Sequence, residues 1–182
     1  MEQHSVPSDN ELIAASLQGD TAAFGTLVLR YRKLVIGVAY RVCGDAQLAE
    51  DIAQETFVRV WTKLPTYRSS GNWRAWICRI TSNLTIDLMR RQKPTVDIED
   101  TMLEDTDDRP EGTVLEQERA AAVRAAIQQL PEHARLTLVL REYEGLSYKE
   151  IADALDVPLG TVKSRLNDAR HRLQQELARY ME

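Results

Sequence analysis

The chain has 182 residues, 43% hydrophobic and 28% charged, with a net charge of −5. This is the balance of a folded soluble protein, and it excludes a disordered or membrane one. No apolar run approaches the ~18 residues of a membrane-spanning helix, so no membrane insertion is expected. The opening MEQHSVPSDNELI also lacks the cationic and apolar parts of a secretion signal, so the expected location is cytoplasmic.

The charge is segregated: residues 1–20 carry −4, 21–93 carry +7, 94–118 carry −9 and 119–182 carry +1. An acidic total therefore hides a cationic segment, and it is local charge that decides whether a surface attracts phosphate.

In chain order, Gly19 and Asp20 separate a short first helix from a longer one at about 21–43. Gly44 stops that helix and Asp45 caps the next. In DAQLAEDIAQETFVRVWTKL, the positions Leu48, Ile52, Thr56, Phe57, Val60, Trp61 and Leu64 recur at helical spacing and predict one amphipathic helix. Glu50, Asp51, Gln54 and Glu55 form its polar face. After Pro65 and the polar stretch TYRSSGN, Asn72 is placed to cap a helix from Trp73 to about Arg91.

On that helix Trp73, Ile77, Ile80, Leu84 and Leu88 fall on one side, the predicted core. Trp76, Arg79, Asn83 and Arg90 line a second stripe about 100° away. A solvated face accounts for the cations alone. Interleaving an aromatic ring and an amide among them points toward nucleic acid.

The stretch 94–112, PTVDIEDTMLEDTDDRPEG, has eight acidic residues, one arginine and no periodic apolar face. It predicts a flexible acidic linker. An alanine-rich helix from Val114 to Gln129 follows, then a helix starting at Pro131 and stopped by Gly145. Ser147 and Glu150 make a capping box in front of SYKEIADAL, Asp156 and Val157 interrupt it, and Pro158 fits the first turn of the next helix. No segment reads as a strand, so the expected class is all-α, with two small helical domains joined by the linker.

A short capped helix, a tight turn and a cation-bearing second helix form a helix-turn-helix. In VPLGTVKSRL, Gly160 and Thr161 are small enough to approach a groove, and Lys163, Ser164 and Arg165 are donors. Val162, Leu166 and Leu173 are expected to pin the helix to Ile151, Ala152 and Leu155.

The segment LPEHARLTLVLREYEGLSYKEIADALDVPLGTVKSRLNDARHRL resembles region 4 of the extracytoplasmic-function (ECF) sigma factors, members of the sigma-70 family of bacterial RNA polymerase initiation factors. AEDIAQETFVRVW resembles their region 2.2, and WRAWICRITSNLTIDLMRR their regions 2.3 to 2.4. The resemblance implies region 2 over 1–93, a linker over 94–113 and region 4 over 114–182. It implies core RNA polymerase and promoter DNA as partners, with an anti-sigma factor as regulator and no cofactor.

Position by position, the resemblance implies polymerase contacts at Asp51, Gln54, Glu55, Phe57, Val58 and Trp61. It implies minus-ten contacts at Tyr67, Asn72, Trp76, Arg79, Asn83, Arg90 and Arg91, with Tyr67 as the wall of a base pocket or as plain helix-end packing. It implies minus-thirty-five contacts at Gly160, Thr161, Lys163, Ser164, Arg165, Asn167 and Arg170. Asp168 departs from the pattern, since many relatives carry a cation there; it turns away, accepts from a cytosine amine or pairs with Arg165 or Arg172. The linker either mimics a nucleic-acid backbone or acts as a tether.

The alternative is a LuxR-like regulator, whose C-terminal helix-turn-helix is similar but which leaves AEDIAQETFVRVW unexplained. An enzyme is not expected: His4, His133 and His171 lie in unrelated settings, and no nucleophile has a base at recognisable spacing. Cys43 and Cys78, without a CxxC or a neighbouring His, predict free buried thiols rather than a zinc site, with a redox switch as the alternative.

Overall fold

The computed structural model describes residues 6–68, 71–92 and 114–180, and every regular element among them is helical. The helices are α1 (Asp9–Leu17), α2 (Thr21–Cys43), α3 (Ala46–Lys63), α4 (Trp73–Gln92), α5 (Val114–Gln128), α6 (Glu132–Glu142), α7 (Tyr148–Leu155) and α8 (Leu159–Tyr180). The expected linker, 94–113, lies outside the described residues.

Local chemistry sets the boundaries. Ser8 and Glu11 form a capping box on α1, and the Asp20 carboxylate accepts from the N–H groups of Ala22 and Ala23 at the start of α2. Gly44 ends α2 at φ 76°, a left-handed conformation that a side chain would strain. Asp45 accepts from Leu48 N at 2.8 Å to begin α3, and Asn72 Oδ1 accepts from Ala75 N at 3.3 Å to begin α4. Each cap satisfies N–H groups that have no partner inside the helix.

Helices α1 to α4 enclose one core, built on Leu27, Val35, Ile52, Val60, Leu64, Trp73, Ile77 and Leu84. The predicted inner face of α4 is met, with Leu88 only partly buried. On α3, Leu48, Ile52, Thr56 and Val60 are buried, but Phe57 and Trp61 stand at the margin. Trp61 is 38% exposed, its ring centroid 4.7 Å from that of Phe24 in an edge-to-face arrangement. The buried stripe of α3 runs along Ala49, Ile52, Ala53, Thr56 and Val60, so both lie on its flank, Phe57 partly buried against the core and Trp61 exposed.

In the C-terminal half, Ser147 and Glu150 form the expected capping box on α7. Asp156, at φ 52°, makes the turn. Pro158 lies one position outside its expected first turn: α8 starts at Leu159, and the Pro158 carbonyl accepts from Thr161 N at 2.9 Å and Val162 N at 3.2 Å. Val162 and Leu166 pack with Ile151 as expected. Leu173 does not; it packs with Ile127, Leu130, Ala134 and Leu138. The reason is length. The 8-residue α7 spans about 12 Å, and Leu173 lies two turns beyond Leu166, past its end and over α5 and α6.

The two halves pack against one another. Val38 and Val42 of α2 and Cys78 of α4 belong to the same buried cluster as Leu136, Val139, Leu140, Leu146, Ile151, Val162 and Leu166. Polar ties surround it. Arg74 meets Glu144 at 2.7 Å, Asn72 donates to Glu150, and the Arg41 guanidinium lies 4.2 Å from the Tyr143 ring centroid. Gln128 donates to the Arg41 carbonyl at 2.9 Å, and Arg135, itself buried, donates to the Val42 carbonyl and to the carbonyls of Gln128 and Leu130. A cation at the carbonyl end of α2 is favourably placed in the field of its dipole.

Candidate functional site

The second stripe of α4 forms one wall of an open groove of about 600 Å³. Trp76, Arg79, Asn83 and Arg90 line it, as the spacing foresaw. The opposite wall comes from Arg59 and Lys63 at the end of α3 and Thr66 in the turn that follows, residues that share no helix with the stripe and so are not signalled by its spacing. Packing of α3 on α4 through Val60, Ile77 and Leu84 brings the walls together. Arg59 is held by Glu55 at 3.0 Å, whereas Lys63, Arg79 and Arg90 have no hydrogen-bond or ion-pair partner among the described residues. Uncompensated cations around a half-buried indole and an exposed amide suit a polyanion carrying aromatic rings.

Tyr67 is not part of that lining. Its ring packs 4.9 Å from Trp73 and 5.1 Å from Trp76, and its hydroxyl donates to the Gly71 carbonyl at 2.6 Å. Burial raises its pKa, so it stays a neutral phenol. Trp76 stacks on Trp73 at 5.1 Å, so Tyr67 and Trp73 together fix the indole that faces the groove. Asn72 is occupied by its cap and by Glu150. Arg91 is exposed but lies outside the groove.

On α3, Asp51, Gln54 and Glu55 are exposed along one ridge, and Val58, 59% exposed, stands beside them with Trp61.

On α8, Gly160, Lys163, Ser164, Asn167 and Arg170 are exposed, with Thr161 and Arg165 partly covered. Closure of the two halves therefore leaves the helix-turn-helix face open. Arg170 pairs with Glu142 at 2.7 Å. Of the readings open for Asp168, pairing with Arg172 is the one found, two contacts of 2.9 Å to Nε. No cluster of three or more His, Cys, Asp or Glu able to hold a metal occurs among the described residues. Cys43 and Cys78 are free, half-buried and buried respectively, and burial pushes their pKa values up to about 11 and about 12.

Two family models match the chain. Sigma-70 region 2 matches residues 27–95, and sigma-70 region 4 matches residues 120–173. The chain is 37% identical over 181 residues to the RNA polymerase sigma-H factor of Pseudomonas aeruginosa, covering 93% of each. It is 32% identical over 172 residues to the ECF RNA polymerase sigma factor SigW of Bacillus subtilis, covering 88% of this chain and 91% of that one. The chain is an ECF sigma factor.

The solved sigma factor RpoE of Bartonella quintana, in complex with the anti-sigma factor NepR, superposes with a TM-score of 0.71 at 25% identity, over 85% of this chain and 96% of that one. As a sigma factor, this protein joins core RNA polymerase and directs it to promoters. The LuxR alternative fails on the N-terminal half, where the region 2 match falls. No helix among the described residues is long and apolar enough to cross a membrane.

Proposed function

We propose that residues 1–93 dock on core polymerase and hold the opened minus-ten segment, that 94–113 joins the two halves, and that 114–182 read the minus-thirty-five element. In this reading the ridge of Asp51, Gln54 and Glu55, with Phe57, Val58 and Trp61, meets the polymerase. The α3–α4 groove takes single-stranded DNA: Lys63, Arg79 and Arg90 neutralise phosphates, and Trp76 offers a stacking face, a contact of about 1–3 kcal/mol per base. That gain offsets the few kcal/mol needed to take a base out of the duplex. Tyr67 and Asn72 act as supports for the groove, and Arg91 extends its cationic margin. Gly160, Thr161, Lys163, Ser164, Arg165, Asn167 and Arg170 face the major groove.

The carrying observation is the groove itself, where an indole, an amide and three cations without a hydrogen-bond or ion-pair partner among the described residues converge from two helices. Distance adds a consequence. The minus-ten and minus-thirty-five elements lie about 25 base pairs apart, ~85 Å of duplex at 3.4 Å per pair. A closed chain of this length has a radius of gyration of about 16 Å, hence a diameter of ~40 Å. Reading both elements requires the halves to part, and the 21 residues between Gln92 and Val114 reach about 70 Å when extended.

The chemistry of RNA synthesis belongs to the polymerase, so this chain performs no catalytic step of its own and works in the cytoplasm. Control by an anti-sigma factor is part of the same proposal, supported by likeness to the relative solved with one. Purified protein added to core enzyme should start RNA at discrete promoters, with binding that falls steeply as salt rises. The Asp51→Ala/Glu55→Ala double variant should lose holoenzyme assembly; unimpaired assembly would remove the docking role from this ridge.

A further inference from the structure

One lining residue of the groove is out of keeping with the rest. Asp87 stands on α4 one turn beyond Asn83, in a groove that also holds Arg59, Lys63, Arg79 and Arg90. It is exposed, and it has no hydrogen-bond or ion-pair partner among the described residues despite that company. By contrast, Glu55 on the facing helix is committed to Arg59, and elsewhere on the surface Asp168 is paired with Arg172 and Glu142 with Arg170.

An ionised carboxylate offers acceptors and no donor. It repels a phosphate, so a strand lying in this groove turns its backbone away from Asp87 and toward Lys63 and Arg90. What Asp87 then meets is a base edge. Among base edges it matches those carrying an exocyclic amine, N4 of cytosine or N6 of adenine, and opposes the acceptor O4 of thymine or O6 of guanine. Ile80 and Ile86 in the same lining supply an apolar surface for the ring to rest on.

Resting on the reading of the groove as the minus-ten site, we infer that Asp87 is a specificity-determining residue for one position of the single-stranded segment, selecting a base that bears an exocyclic amine. It works by attraction to the amine and by repulsion of carbonyl-edged bases and of phosphate. Negative selection of this kind discriminates without adding to overall affinity.

The test is transcription by wild-type, Asp87→Ala and Asp87→Asn holoenzymes from a promoter library randomised across the minus-ten segment, with the templates that yield RNA identified by sequencing. Wild type should enrich cytosine or adenine at one position by about ten-fold. Asp87→Ala should erase enrichment at that position alone. Asp87→Asn, which has both a donor and an acceptor, should admit guanine or thymine there. Identical base profiles for wild type and Asp87→Ala, or a wild-type profile without an amine-bearing preference, would overturn the inference. An Arg79→Ala/Arg90→Ala holoenzyme separates this from failure of the groove reading. Lower yield from the whole library with an unchanged profile keeps the groove and leaves Asp87 to be judged on its own variants. Unchanged yield overturns the groove reading, and the role of Asp87 falls with it.

Discussion

Arg74 and Glu144 meet at 2.7 Å across the two halves of the molecule, and they are unequal partners: the Glu144 side chain is 6% exposed, the Arg74 side chain 45%. The carboxylate is thus held in a dry site by a cation that keeps contact with water. Glu144 follows α6, just before the turn at Gly145, and Arg74 lies in the first turn of α4, so the pair ties the helix-turn-helix to the wall of the groove.

Removing Arg74 leaves a buried charge without its partner. Breaking a fully buried pair costs 3–5 kcal/mol, and the exposure of Arg74 reduces this to about 1–2 kcal/mol. The Arg74→Ala variant should therefore open, seen as a larger radius of gyration by X-ray scattering or a greater inter-half distance by energy transfer. Compact scattering identical to wild type would deny the pair its role in closure.

Burial raises the pKa of Glu144 above its ordinary 4.5, against the opposing pull of Arg74 and Arg41. An acid raised on closure favours the closed form while protonated. That contribution is complete below the ordinary value and is lost as pH climbs through the raised one. Closure should consequently weaken as pH rises from below 4.5, and Glu144→Gln, neutral throughout, should lose this component and stay closed more firmly at neutral pH. Glu150, its pKa lowered chiefly by the backbone of Ser147, works in the opposite sense only through its bond to Asn72, because the capping box lies within α7 and persists when the halves part. Comparing wild type with Glu144→Gln isolates Glu144. The measurement is inter-half energy transfer against pH, and parallel curves for the two proteins would contradict the assignment.

Cys78 reports the same motion. It is fully buried in the cluster shared by both halves, and burial with the nearby Glu144 charge lifts its pKa to about 12. The thiolate is the reactive form. Alkylation of Cys78 at neutral pH should be slow in wild type and many-fold faster in Arg74→Ala, followed by mass spectrometry with Cys43 as internal comparison. Equal rates at Cys78 in the two proteins would mean that the variant stays shut.

On α8, the two contacts between Asp168 and Arg172 remove one cation from service. Asp168→Ala should strengthen binding to minus-thirty-five duplex and steepen its salt dependence, because Arg172 is released toward phosphate. Lys163→Ala should do the reverse, reducing the salt slope by about 1 if Lys163 contacts phosphate. Titration by fluorescence anisotropy at several salt concentrations measures both.

Leu166 is 1% exposed at the junction of α8 with α7. Leu166→Ala should cost about 2–5 kcal/mol, and Ser147→Ala about 1 kcal/mol through loss of the cap on α7. Thermal denaturation should rank them in that order. A larger effect for Ser147→Ala would show that the cap, with Glu150 bonded both to it and to Asn72, contributes more than local helix stability.

Local chemistry was enough to delimit the helices. Asp20, Gly44, Asp45, Asn72, Ser147 and Glu150 are short-range signals, each acting within a turn of its own helix, so the boundaries of α2 to α4 and α7 were legible in the chain. Periodicity likewise revealed the Trp76, Arg79, Asn83 and Arg90 stripe, because a helix places those side chains on one face whatever surrounds it. Tertiary structure decided what period cannot express: that Lys63 and Arg59 face the stripe from another helix, that Tyr67 supports Trp76 from outside the groove, and that Leu173 overruns α7. It also decided that Glu144 and Cys78 lie buried between the halves. These are relationships between segments far apart in the chain, set by which apolar faces bury one another, and no window of sequence contains both partners.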